Sequence, residues 1–199
     1  MTAPRDLRLC ETETRVKITV STHQLPGYGA TLRTAKRMTE HAVRLVNRAV
    51  PGRMPDVEVI LTNERGMAEQ GAAADLALAG STDRSAKKRA ERWAKQIART
   101  SHARAIPRPD GSALILVNAH KATSPAEFGL IIVHELVHAM QFSRKDVPER
   151  YQRAVRDGLG IERQSRRDAR EHERLMRQEE AEAYGHEYLH KQLGYGAAA

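Results

Sequence analysis

Between residues 124 and 142 the sequence carries a helix with almost no polar side to turn toward water. Its start is well marked. Ser124 can cap the first-turn amides, Pro125 suits the first helical position, and Glu127 completes a capping box. The residues that follow, Phe128-Gly129-Leu130-Ile131-Ile132-Val133 and then Leu136-Val137 and Ala139-Met140, are apolar at nearly every helical angle. Such a helix is buried, so the remaining elements must cover it on several sides. Yet His134, Glu135 and His138 stand within it. Burying two imidazoles and a carboxyl without partners is costly. Either they satisfy one another as a hydrogen-bonded core pair, or something binds them.

The rest of the chain supplies the covering elements. Val16, Ile18 and Val20 alternate within 15–21 and predict a strand. Leu32, Ala35, Met38, Ala42, Leu45, Val46 and Ala49 fall at helical spacing over 31–50, and Pro51-Gly52 ends that helix. Val57–Leu61 is a short β-branched strand, and the Ala-rich stretch 64–79 is compatible with a helix. A basic helix follows over 81–99, with Ser81 as its cap and Ala86, Ala90, Trp93 and Ile97 as a thin apolar stripe. No strand is predicted between Thr62 and Gly111, whereas Ala113–Asn118 (ALILVN) reads as one. Beyond the buried helix lie a short helix over 147–156 and a long charged one from about Ile161 to Gln192. The expected organisation is a loose N-terminus over 1–14, one domain over 15–192 with a basic helical segment at 84–108, and a flexible tail over 193–199.

His134-Glu135-Leu136-Val137-His138 is an H-E-x-x-H sequence. At 3.6 residues per turn the two histidines lie one turn apart on one face, where both can bind a single metal ion. Glu135, beside the first histidine, can reach a metal-activated water without ligating the metal. Zinc suits nitrogen and oxygen donors and leaves a position open for water. A catalytic zinc needs a third protein ligand, and no histidine follows His138 at a spacing that would supply it. The only dense carboxylate cluster downstream is 177–189, so Glu179, Glu180 and Glu182 are candidates, with His172 and His186 as histidine alternatives.

In these residues the chain resembles the zincin metallopeptidases, in their gluzincin branch. There a strand precedes the HExxH helix, and a later helix supplies a glutamate from an E-x-x-A pattern. ALILVN, HELVHAM and Glu180-Ala181-Glu182-Ala183 match in that order, over about residues 113–190. The resemblance implies an α+β, zincin-like fold, with a small mixed sheet packed on the HExxH helix and a long C-terminal helix. It implies Zn2+ held by His134, His138 and Glu180, with Glu135 as general base and proton shuttle in peptide-bond hydrolysis. It makes ALILVN the strand at the edge of the substrate cleft. The position four after Glu180, often an acid or Asn in the family, is Tyr184 here. An oxyanion donor is also expected, with Tyr151, His172, Tyr184, His186 and Tyr188 as candidates.

Composition bounds the partners. At 40% hydrophobic and 29% charged residues, the chain of 199 residues can build a core. No apolar run reaches the about 18 residues of a membrane span, and Met1–Cys10 has no apolar stretch of secretory type. Cys10 is the single cysteine, which excludes an internal disulfide and a Cys-rich zinc ribbon. A cytoplasmic protein without membrane contact is therefore expected. The net charge is +8, and residues 84–108 hold nine basic groups against one acid, Glu91, so the whole excess lies there. That segment is either a solvated helix face or a surface for nucleic acid or an acidic partner. Its alternatives for the whole protein are a SprT-like DNA-associated protease, a regulatory peptidase of ImmA type, and a non-catalytic module stabilised by zinc.

Overall fold

The computed structural model describes residues 16–194. The notional N-terminus 1–14, with Cys10, and most of the notional tail lie outside them. Four strands and six α-helices follow in the order β1 (Ile18–Thr22), α1 (Gly29–Ala49), β2 (Val57–Thr62), α2 (Glu64–Ala79), α3 (Arg84–Thr100), β3 (Ala103–Pro107), β4 (Ala113–Asn118), α4 (Pro125–Gln141), α5 (Val147–Gly158) and α6 (Arg166–His186). A 3-10 segment, Glu187–Gln192, continues α6. The architecture is α+β with a small mixed sheet ordered β1-β2-β4-β3. β1, β2 and β4 are parallel, and β3 runs antiparallel to β4 as the outer strand.

Helices cover both faces of the sheet. Val57, Val59 and Leu61 of β2, with Ala113, Ile115 and Val117 of β4, turn toward α1 and α4. Ile60, Leu114 and Leu116 turn the other way, onto Met67 and Ala68 of α2 and Ala98 of α3. That is why every residue of ALILVN is buried and the run shows no alternation. The apolar helix α4 lies in the larger core, with Ile132, Val133, Leu136 and Val137 fully enclosed. Its capping box forms as read: the Glu127 amide donates to Ser124 Oγ at 3.2 Å, and the Ser124 amide donates to Glu127 Oε2 at 3.1 Å.

Four expectations need correction. ALILVN is an interior strand, because β3, which the sequence reading omitted, pairs along its outer side. β3 is short, carries Pro107 and mixes small residues with Arg104, so it has no apolar pattern of its own. The segment 84–108 is accordingly not helical throughout, but helix α3 followed by β3. Asp83, not Ser81, caps α3, accepting from the amides of Ser85 and Ala86, and the fully buried stripe is Ala86, Ala90, Ala94 and Ala98. Alanine at every fourth position lets α3 lie close against α2. Finally, Leu193 belongs to the main core rather than to a tail.

Candidate metal centre

The C-terminal half of α4, buried from Glu135 to Gln141, turns one face toward α6. His134 and His138 project from that face one turn apart, and their Nε2 atoms are 3.2 Å from each other. Glu180 reaches them from α6, with Oε2 3.5 Å from His134 Nε2 and Oε1 3.3 Å from His138 Nε2. The close approach of the two helices is made by Ala183, fully buried in the core three residues after Glu180. Three donor atoms, one from each residue, lie within 4.8 Å of one another. Ligands held about 2.0–2.2 Å from one zinc ion in tetrahedral geometry stand about 3.3 Å apart, close to the separations found here.

The tautomers point the same way. Gln141 donates its amide to the Glu179 carbonyl at 2.9 Å and to Glu182 Oε2 at 3.0 Å, which leaves its Oε1 as the acceptor facing His138 Nδ1 at 2.8 Å. Glu182 is itself gripped by both Arg144 Nη atoms at 2.7 and 2.6 Å. His134 Nδ1 donates to Glu187 Oε1 at 2.9 Å. Both Nδ1 atoms thus carry hydrogens, and both Nε2 lone pairs face the same point as Glu180. Orienting acceptors on the far nitrogen are the usual support of metal-binding histidines. Lone pairs and a carboxylate converging there form a group that could hold a cation. In the metal-free protein a proton takes that part: burial opposes charge on His138, but Glu180 and the nearby Glu135 outweigh it and push it up to about 9. Hydrogen bonds from the same two histidines hold Glu180 far below the usual carboxylate range.

Glu135 stands beside this group but points elsewhere. It is buried, and desolvation pushes its carboxyl above the ordinary glutamate value, opposed by His138, His134 and the backbone amide of Ala105 on β3. A raised carboxyl pKa brings a general base closer to the working range. Glu135 therefore joins α4 to the outer strand, and both line a cavity of about 660 Å³ with His134, His138 and Glu180. That size is typical of small-ligand sites, about 300–1,000 Å³.

The other sequence candidates separate cleanly. Glu179 is not at the centre: it pairs with Arg150 of α5. Glu182 orients His138 through Gln141, as above. Of the five possible oxyanion donors, Tyr151, His172 and Tyr184 line the cavity, whereas His186 and Tyr188 do not. His172 Nδ1 accepts from Arg150 at 3.0 Å, and burial followed by the Arg150 charge lowers its pKa, so it stands neutral with Nε2–H as its donor. His120 does not line the cavity; its amide is bound to the Asn118 side chain.

Sequence reasoning missed Gln141, Glu187 and the β3 edge. Gln141 had a signal, since it lies three residues after His138 on the same helix. Glu187 had a weaker one, as seven residues after Glu180 places it near the same helical face, at the start of the 3-10 segment that continues α6. No family model, curated protein or solved structure matches this chain.

Proposed function

We propose that the chain is a zinc-dependent peptidase of zincin-like fold, with His134, His138 and Glu180 as ligands and Glu135 as general base. One observation carries the reading: two imidazole lone pairs and an otherwise unpaired carboxylate converge beside a buried glutamate, at the mouth of a cavity bordered by a free strand edge. Zinc bound there would supply Lewis acidity, acidifying water and polarising a carbonyl. Glu135 takes the proton from the attacking water and later delivers it to the leaving amide nitrogen. His172, kept neutral by burial and the Arg150 charge, and the phenols of Tyr151 and Tyr184 are the hydrogen-bond donors of this set along the wall.

The outer strand supports a peptide as substrate. His102 accepts from the Asn118 amide at 2.8 Å and the Arg108 amide donates to Ser112 at 2.9 Å, so the even-numbered positions of this segment bond toward β4. Alternation turns the amides and carbonyls of Ala103 and Ala105 away from β4; the Ala105 amide meets the Glu135 carboxyl, which leaves the Ala103 amide and both carbonyls on the open edge. An extended chain can pair there by strand addition, its backbone beside Glu135. Pro107, without an amide, limits such pairing at one end. A purely structural zinc site would need neither Glu135 nor this edge.

The decisive experiment compares the wild-type chain with Glu135→Gln. Both bind close to one equivalent of zinc by metal analysis, while the variant loses at least about 10²–10⁴-fold in peptide hydrolysis. Zinc-free wild-type protein after zinc addition, or equal activity in the two proteins, would sink the reading.

A second reading, attachment to nucleic acid, has one observation in its favour. Arg84, Lys87, Lys88, Arg92, Lys95 and Arg99 are exposed along α3 and make no ion pair with a described residue. The other three basic groups of the segment are engaged internally: Arg89 with the Leu159 carbonyl, Arg104 with Asp75, and Arg108 with Glu58. Salt-dependent DNA binding that weakens on replacing Lys88, Arg92 and Lys95 would support it.

A further inference from the structure

The cavity does not end at the metal centre. It rounds the free edge of β3 and continues on the opposite side of the sheet, where Leu78 of α2, Trp93 and Ile97 of α3, and Ala154 and Val155 of α5 form its walls. Strand alternation produces this bend. Ala103 and Ala105 pack toward α4, while Arg104 and Ile106 turn toward α2 and α3. The Arg104 guanidinium donates to both oxygens of Asp75, at 2.9 and 2.7 Å, and lies 5.4 Å from the Trp93 ring centre. Asp75 is fully buried, so this pair closes the floor as a neutral unit.

The walls are braced. Gln152 and Arg156 of α5 donate to the last carbonyls of α2, Leu78 at 2.8 Å and Ala79 at 2.7 Å. Trp93 stands between Arg104 and the backbone of Gly158, where a β-carbon would be 3.7 Å from the ring. The result is a preformed apolar recess beside β3 whose Arg104–Asp75 pair is neutral, while Lys121, a cation of the same cavity lining, spends its ammonium hydrogens on the carbonyls of Ala98, Arg99 and Ser101.

Successive side chains of an extended peptide point to opposite faces. A peptide on the free edge of β3 therefore sends alternate side chains toward the metal centre and into this recess. We propose that the recess is a specificity pocket for a large apolar substrate side chain, Leu, Met or Phe, with Trp93 as its contacting wall. This rests on the peptidase reading and adds its substrate class. A charged side chain would be desolvated there without a partner, and a small one would leave the apolar walls uncovered.

Trp93 is the only tryptophan of the chain, so its fluorescence reports directly on the pocket. The test titrates zinc-loaded Glu135→Gln protein with synthetic peptides that differ at one residue: Phe, Leu, Gly or Asp. Phe and Leu peptides should shift Trp93 emission and bind about 10- to 200-fold more tightly than the Gly and Asp peptides. Ala154→Phe, which fills the recess from α5, should erase that preference at unchanged zinc content. Ile97→Ala, which removes bulk instead, should move the preference from Leu toward Phe and covers the case in which Ala154→Phe does not fold. Peptides that bind by anisotropy without disturbing Trp93, or a preference untouched by both variants, would overturn the pocket while leaving the peptidase reading in place. No peptide bound by the variant and none cleaved by the wild type would overturn both.

Discussion

Asp75 with Arg104, and His134 with His138 and Glu180, are two polar clusters set into the walls of one cavity, on opposite sides of β3. The first is complete: a buried carboxylate meets a guanidinium through two hydrogen bonds, and each charge cancels the other. The second is incomplete: its outer nitrogens are satisfied by Glu187 and Gln141, and its inner atoms are lone pairs and a carboxylate directed at each other. The same contrast occurs within a single turn of α6. Glu179 has Arg150 and Glu182 has Arg144, but Glu180 has only the two histidines. Closed pairs shape a wall, and the group left open is the one with room for a cation.

The contrast can be broken at either cluster. The largest effect is expected from Glu180→Ala, which removes a ligand. Zinc affinity should fall by more than the roughly 10–100-fold typical of losing an orienting partner, read by competition with a chelating dye. Unchanged affinity would transfer the ligand role elsewhere. Asp75→Asn should act on stability instead. Leaving the mostly buried Arg104 without its counter-charge costs about 3–5 kcal/mol, seen as a large drop in the denaturant midpoint, with zinc content intact. A midpoint within error of wild type would show that the pair is not the closed unit described here.

Gln141→Leu tests the orienting role between these extremes. It frees His138 Nδ1 and leaves Glu182 with Arg144 alone, so zinc affinity should fall by about 10–100-fold while the circular dichroism spectrum stays that of the wild type. The smallest effect concerns protons. His138 is pushed up to about 9, so at neutral pH the metal-free protein holds a proton that zinc must displace. Titration calorimetry in buffers of different ionisation enthalpy should report proton release on zinc binding. Proton uptake, or none, would contradict a charged His138 in the metal-free state.

The helix that carries His134, Glu135 and His138 was legible because everything about it is local. Its cap is set by residues 124–127, and the spacing of His134 and His138 is one helical turn whatever surrounds them. Which carboxylate meets the two histidines was only narrowed. Glu179, Glu180 and Glu182 lie within one turn of α6 but point in different directions, and only the docking of α6 through Ala183 decides which one meets the histidines. The sheet order was hidden for a similar reason. The all-apolar ALILVN reads as a strand but not as an interior one, since its outer neighbour β3 is short and without apolar alternation.

The charge distribution changed meaning in the same way. Sequence placed the whole +8 excess in residues 84–108, and that stands as arithmetic. Tertiary structure divides it, with six groups left to solvent on α3 and Arg89, Arg104 and Arg108 drawn into internal contacts. By itself, then, the sequence determined the buried helix, its facing histidines and the neighbouring glutamate, because backbone periodicity fixes relations a few residues apart. Only the tertiary structure decided the partner carboxylate, the free strand edge and the Trp93 recess. Those depend on contacts between residues tens of positions apart, and no local pattern encodes which of several similar side chains a packed helix will turn inward.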